Sequence, residues 1–368
     1  MTRYLPEPRL REVDDHTGLT VMQYDKMAPG VLFCDVVVVK ARFEFDAKGL
    51  KRQPSPAPLN MADRHRNDKD PLGSSLSEAG DLILGKPGTD ILLQGHVRQD
   101  SPNKHWNVDV SLHKQAQDDK ALAQMHCSVT GPRQWEHRFV KGWQMSEPKP
   151  TQSVPIAYEL AYGGRQPDKN KDPQDWDSHE ANPSGSGYSF AGYSVADTPA
   201  APQWGAPVGL FSALSAQQLY GLGPIARFWS SRKKFAGTYD QTWQQRLQDN
   251  QNNPAFIPDY ANDFDMRFFQ SAHPSLQTAK PILGDEWIVL NGVFDWQGAW
   301  APPIRLQLPR LGVAASFKFP GKREVEQVRL LLDTVTVDAD KHHVDLVWRL
   351  TLAQSHGIER VRLDLGEL

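Results

Sequence analysis

A mainly β fold with short helices, its antiparallel sheets packed in a sandwich-like way, is what the sequence predicts. Apolar residues recur mostly with a period of two, which suits strands with one buried face. Helical signals are confined to two short stretches, and no repeat of about 20 to 50 residues argues for a solenoid or propeller. At 368 residues the chain is long enough for one large or two ordinary domains with a sizeable core. The expected division is a β-rich subdomain over 1–164, a long irregular region over 165–207 and a second β-rich subdomain over 208–368. The two β-rich parts form either separate units or one compact body.

Asp35 to Phe45 reads as a β-branched strand whose later part, Lys40 to Phe45, alternates polar with apolar residues, so one of its faces is expected to be wet. A connector with Pro54, Pro56 and Pro58 follows, then a charged stretch from Asp63 to Asp70 that reads as a surface loop. Asp81 to Leu84, the turn Gly85 to Asp90 and the run Ile91 to Val97 predict a strand–turn–strand pairing. Trp106, Val108, Val110 and Leu112 then share one face of a further strand. These segments together predict an antiparallel meander.

Between Arg165 and Pro207 the composition turns to Pro, Gly, Ser, Asp and Asn, interrupted by Trp176, Tyr188, Phe190, Tyr193 and Trp204. Loops of that length usually carry function or are disordered. Disorder does not enrich aromatics, so an ordered, partly packed region is expected. Two short helices are expected, Ser215 to Gly221 and Asp240 to Asn250, the second capped by Asp240. Strands return at Glu286 to Val293, Ile304 to Leu308, Ala314 to Phe319, and in a hairpin of Val328 to Val337 with Val344 to Leu352. In that hairpin Val344, Leu346, Trp348 and Leu350 form a half-buried face.

Lys and Arg number 41 against 44 Asp and Glu, so no global footprint for nucleic acid or an anionic membrane is visible. Cys34 and Cys127 are too few for a disulfide framework and lack C-x-x-C spacing, which fits a reducing compartment. The charged stretch Met1 to Asp15 offers neither a signal peptide nor a membrane span.

The catalytic candidates are weak. Gly187-Tyr188-Ser189-Phe190-Ala191 departs from G-x-S-x-G at its last residue and lacks the flanking strand and helix. Asp168, Asn170 and Asp172 begin a calcium-loop pattern, but Pro173 stands where it needs glycine and His179 where it needs Glu. His105, His113, His126 and His137 are irregularly spaced for a metal, and His342 and His343 start a hairpin strand, where neighbours face oppositely. Asp263 and Asp265 are the one carboxylate pair that could serve a hydrolase; alternation from Phe264 to Phe268 reads instead as a structural segment with an Asp265–Arg267 ion pair. Arg227, Arg232, Lys233 and Lys234 lie among aromatics and read as cations over packed rings. No catalytic, metal-binding or cofactor-binding residue is expected.

Several segments, taken in order, resemble an uncharacterised-domain family of Gram-negative type VI secretion clusters, described as effector adaptors or chaperones. They are Lys86-Pro87-Gly88-Thr89-Asp90 with Gln94-Gly95-His96, Tyr158 to Gly164, Asn182-Pro183 with Gly185 and Gly187, and Gly223 to Arg227 with Trp229. Ala236 to Asp240 with Trp243, Asp263 to Phe269, Gly284-Asp285-Glu286 and Val347-Trp348-Arg349 continue the series. A departure lies at Asn253 to Asp259, which stretches a P-x-x-P-x-D-F region.

The resemblance implies a non-enzymatic cytoplasmic adaptor that binds an effector toxin and a spike protein of the VgrG or PAAR kind, without nucleic acid, membrane or cofactor. Aromatic anchors dominate interfaces, so Trp176, Tyr188, Phe190, Tyr193 and Trp204 are the expected partner-binding residues, unless they pack the loop onto the sheets. The alternatives are a hydrolase using Ser189 or Asp263 with Asp265, and a self-assembling structural component of the secretion apparatus.

Overall fold

Val31–Asp46, whose central Val36 to Val39 is a β-branched run too continuously apolar for a surface strand, lies inside a six-stranded sheet. The computed structural model describes residues 12–14, 17–29, 31–46, 49–53, 55–206, 218–249, 260–294, 303–319, 327–353, 358 and 360–367. The order in this sheet is Thr20–Ala28, Val31–Asp46, His343–Ala353, Leu331–Asp338, Asp90–Gln94, with Gly49–Arg52 paired to Val31–Asp46. A five-stranded sheet runs Trp204–Gly205, Ala123–Thr130, His105–His113, Trp287–Asn291, Ile304–Gln307. A four-stranded sheet joins Glu12–Asp14, Arg360–Glu367, Leu311–Lys318 and Val328–Arg329.

The fold is thus mostly β, with several antiparallel sheets and two short helices, Ser230–Lys233 and Gln241–Asp249, among the described residues. One core joins the three sheets. It contains Val37, Val39, Ala41 and Phe43 from the first, Val108, Val110, Leu112 and Ile288 from the second, and Val313, Phe317 and Val361 from the third. Both larger sheets combine strands from 1–164 with strands from 208–368, Val31–Asp46 pairing with His343–Ala353 and His105–His113 with Trp287–Asn291.

Several elements differ from expectation for identifiable reasons. Asp81 to Leu84 is not a strand, although Ile83 and Leu84 are buried. Side chains rather than a neighbouring backbone satisfy its carbonyls: Arg349 donates to Asp81 O, Lys26 to Leu82 O, Tyr24 to Ile83 O and Thr351 to Leu84 O. The run Ile91 to Val97 breaks at Gly95, whose φ of 95° is left-handed. Asp90–Gln94 then pairs parallel with Leu331–Asp338, while His96–Asn103 pairs with Thr151–Pro155, so no hairpin forms across the Gly85 to Asp90 turn.

Val328 to Val337 divides into Val328–Arg329 and Leu331–Asp338, which join different sheets. The second of these forms the expected hairpin with His343–Ala353. His343–Ala353 is covered on both faces, for Asp345, Val347 and Arg349 are buried as well as Val344, Leu346 and Trp348. The polar face of Val31–Asp46 is likewise covered at Lys40. Asp263 to Phe269 is not extended; Asp265 caps a 3-10 turn over Met266–Phe269 that tucks Phe269 against Val36 and Ile83.

The Asp240 helix forms as Gln241–Asp249, with Asp240 Oδ1 accepting from Trp243 N at 2.8 Å. Of the other expected helix, Ser215 to Gln217 lie outside the described residues, and the following residues to Gly221 are not helical. The Asn253 to Asp259 departure also lies outside them.

Candidate functional site

Strand alternation sends Val39, Ala41 and Phe43 into the core and Lys40 and Arg42 to the opposite face. The register then aligns Arg42 with Asp345 and Thr336, and Lys40 with Val347 and Thr334. These residues floor a cavity of about 580 Å³, walled by the segments 58–64 and 77–81. A cavity of that size falls within the range of small-ligand sites.

The floor is a lattice of ion pairs. Lys40 Nζ donates to Asp81 Oδ2 at 3.0 Å and lies 3.8 Å from Asp345 Oδ2. Arg42 grips Asp345 with two bonds of 2.6 and 2.7 Å. Arg349 donates to Asp333 Oδ2 at 2.9 Å and to Asp81 O at 2.8 Å. Lys86 Nζ donates to Asp90 Oδ2 and to Thr334 Oγ1, both at 2.7 Å. Burial pushes the Asp333 carboxyl up, opposed by the charges of Arg349 and Lys86. Buried ion pairs roughly break even against packed apolar side chains, so stability does not explain this concentration of charge.

The Lys86 to Asp90 turn holds its end of the floor. Thr89 N donates to Thr278 Oγ1, Thr89 Oγ1 donates to Leu332 O, and Asp90 Oδ2 accepts from Ser271 N. A Cβ on Gly88 would collide with Thr278 O, so this position requires glycine.

A second surface stands on the hairpin of Trp135–Arg138 with Gly142–Met145. Its tip residues Phe139 and Val140 are 101% and 90% exposed. Phe190 stacks on Trp143 with ring centroids 4.7 Å apart and meets Trp135 edge-on at 5.1 Å; Tyr193 meets Trp143 at 6.3 Å. The long irregular region thereby braces the hairpin, and Arg138 and Lys141 flank the apolar tip.

Of the five aromatics expected to bind partners, Phe190 and Tyr193 belong to this surface. Trp204 is buried in the five-stranded sheet and donates to Pro155 O at 2.9 Å. Trp176 donates to Asp168 O and Lys171 O under the Arg165 guanidinium. Tyr188 packs edge-on to His179, and its hydrogen bond with Asp177 raises its pKa.

Ser189 Oγ donates to the amide oxygen of Gln166, which is not a general base. Asp263 accepts from Thr238 N and Oγ1, and Asp265 from Arg267; these hydrogen bonds lower both carboxyl pKa values. Among the described residues, no group of three or more His, Cys, Asp or Glu is placed to hold a metal. Arg232 is buried and donates to Ile225 O and Phe268 O, while Lys234 lies over the Phe235 ring.

Sequence reasoning passed over Trp135, Phe139, Val140 and Trp143, and over the charges of the floor. An apolar pair between Arg138 and Lys141-Gly142, where a turn ordinarily takes polar residues, is the signal that marks the hairpin. No comparable signal marks the floor, since its partners come from five separate segments.

Interleaved sheets, a charge-lined cavity and a braced apolar hairpin define a β-sheet protein with two candidate binding surfaces. The chain belongs to the family described as "Uncharacterized protein conserved in bacteria (DUF2169)", whose model matches residues 33–349. No curated protein and no solved structure matches it.

Proposed function

We propose that this protein is a non-enzymatic cytoplasmic adaptor or chaperone that binds a type VI secretion effector and helps load it onto a VgrG or PAAR spike. The observation that carries this reading is the hairpin tip, two apolar side chains held in water on an aromatic base. Burying Phe139 and Val140 against a partner would gain about 1.5–3 kcal/mol each. Aromatic residues such as Phe190 and Tyr193 at the base supply rigid contact area for the remainder of an interface, which buries on the order of 1,600 Å² in a standard complex. These partners are the ones that the resemblance of the ordered segments to effector adaptors implies.

The test is affinity capture of the tagged chain expressed with the products of its neighbouring genes, for the wild type and for Phe139→Ser/Val140→Ser. The expected result is recovery of an effector and a spike component by the wild type. The double variant should lose at least one of them while its melting temperature stays unchanged, because both side chains are solvated in the free protein. Recovery of neither by the wild type would overturn the adaptor reading; undiminished capture by the variant would remove the hairpin from it.

A further inference from the structure

We infer that the charge-lined cavity is a binding site for a carboxylate group, brought either by a small organic acid or by the C-terminus of a polypeptide. The ion pairs of the floor are balanced in formal charge, with Lys40, Arg42, Lys86 and Arg349 against Asp81, Asp345, Asp90 and Asp333, the last two lying behind the lining itself. They are not balanced in hydrogen bonds. Asp345 gives both its oxygens to Arg42, and Asp81 Oδ2 accepts from both Lys40 Nζ and Asn60 N.

The donors are less fully used. An ammonium offers three N–H groups, yet Lys40, only 4% exposed, makes one hydrogen bond, to Asp81. Lys86 spends two of its three, on Asp90 and Thr334. Arg349, 3% exposed, also has no acceptor at Nε, but that atom is itself sealed from the cavity, so Lys40 and Lys86 supply the donors an occupant would meet. All three cations line the cavity.

Buried donors without acceptors are costly, so the lowest-energy occupant of this space brings acceptor oxygens. A carboxylate does so with a single negative charge. The neighbouring Asp81 and Asp345 disfavour a more highly charged anion such as phosphate, because like charges close together in a poorly solvated site repel strongly. Asp90 Oδ1 also lacks a partner, but Asp90 is fully buried beneath Lys86 and does not line the cavity.

The inference is independent of the adaptor reading, and calorimetric titration of the full chain tests it. The probes are glutarate, N-acetyl-tetra-alanine with a free C-terminal carboxylate, the same peptide as its C-terminal amide, and inorganic phosphate. At least one of the two acids should bind saturably at millimolar concentration: glutarate alone would identify a small acid as the source, and the peptide acid a chain terminus. The amide should bind about tenfold more weakly than the acid, the scale of one charge-assisted hydrogen bond.

Lys40→Met should weaken acid binding by a similar factor. Lys40→Met/Asp81→Asn, which removes both charges of the pair, provides the same comparison if the single variant does not fold. Failure of both acids to bind, equal binding of acid and amide, tighter binding of phosphate, or unchanged affinity in a folded Lys40 variant would each overturn the assignment. Where the peptide acid binds, its comparison with the amide on the wild-type protein is decisive without any variant; where glutarate alone binds, the Lys40 variants decide.

Discussion

At His273 two hydrogen bonds select one form of the ring. Nδ1 accepts from Ser275 N at 3.1 Å, capping the turn Pro274–Leu276, and Nε2 lies 3.0 Å from Leu219 O, which requires the proton there. Protonating Nδ1 would break the cap, and burial pushes the pKa down to about 4 from 6.5. Between those values the unfolded chain binds a proton that the folded chain does not. Stability contributed by His273 is therefore complete above about pH 6.5 and falls as the pH drops toward 4, by up to about 3 kcal/mol. Urea unfolding at neutral pH and at about pH 4.5 should show this loss. His273→Asn, which caps without titrating, should show a correspondingly smaller one. Glycines show a different constraint: Gly163, at a φ of 147°, leaves no room for a Cβ beside Asn182 O, and Asn182 Nδ2 donates to Tyr158 O and Tyr162 O. Two sequence motifs, Tyr158 to Gly164 and Asn182 to Gly187, are thus two sides of one close backbone crossing.

Among the elements, Asp81 to Leu84 has the composition of a strand but none of a strand's pairing. The Tyr24 hydroxyl, its pKa raised to about 12 chiefly by burial, donates to Ile83 O at 2.5 Å and helps hold the segment against the sheet. Tyr24→Phe leaves that carbonyl without its donor and should cost about 1–3 kcal/mol, read as a lower urea midpoint with an unchanged m-value. The alternation of His105–His113 was legible because each of its apolar residues meets one core. The covering of Lys40 and Arg349 was not, because the segments that cover them are distant in sequence and carry no periodicity of their own. The hairpin tip was legible in principle from Phe139 and Val140 in a turn; its aromatic brace was not, since Trp143 and Phe190 meet only through tertiary packing.

For the whole molecule, the central pairing joins Arg42 to Asp345 across 303 residues of chain. Neither half completes the six-stranded sheet, because Val31–Asp46 and Asp90–Gln94 flank a hairpin supplied by the C-terminal third. Fragments 1–206 and 207–368 should each lack cooperative thermal unfolding when expressed alone, and mixing them should restore it if they associate productively. A sharp, independent transition in fragment 1–206 would show that its sheets do not need their partners. Such long-range pairing also places the protein among slowly folding β topologies.

The sequence by itself determined that the protein is mostly β, where strands such as Val31–Asp46, His105–His113 and His343–Ala353 run, and that Asp240 starts a helix. These follow from local backbone preference and from the period at which side chains meet a core, both of which are written along the chain. Only the tertiary structure decided that Asp90–Gln94 pairs parallel, that Asp81 to Leu84 is held by side chains, and that Lys40, Arg42, Lys86 and Arg349 share one cavity. Strand partners and buried charge networks are matches between remote residues. A single sequence specifies each member of such a match, but the match itself exists only once the sheets have brought the members together.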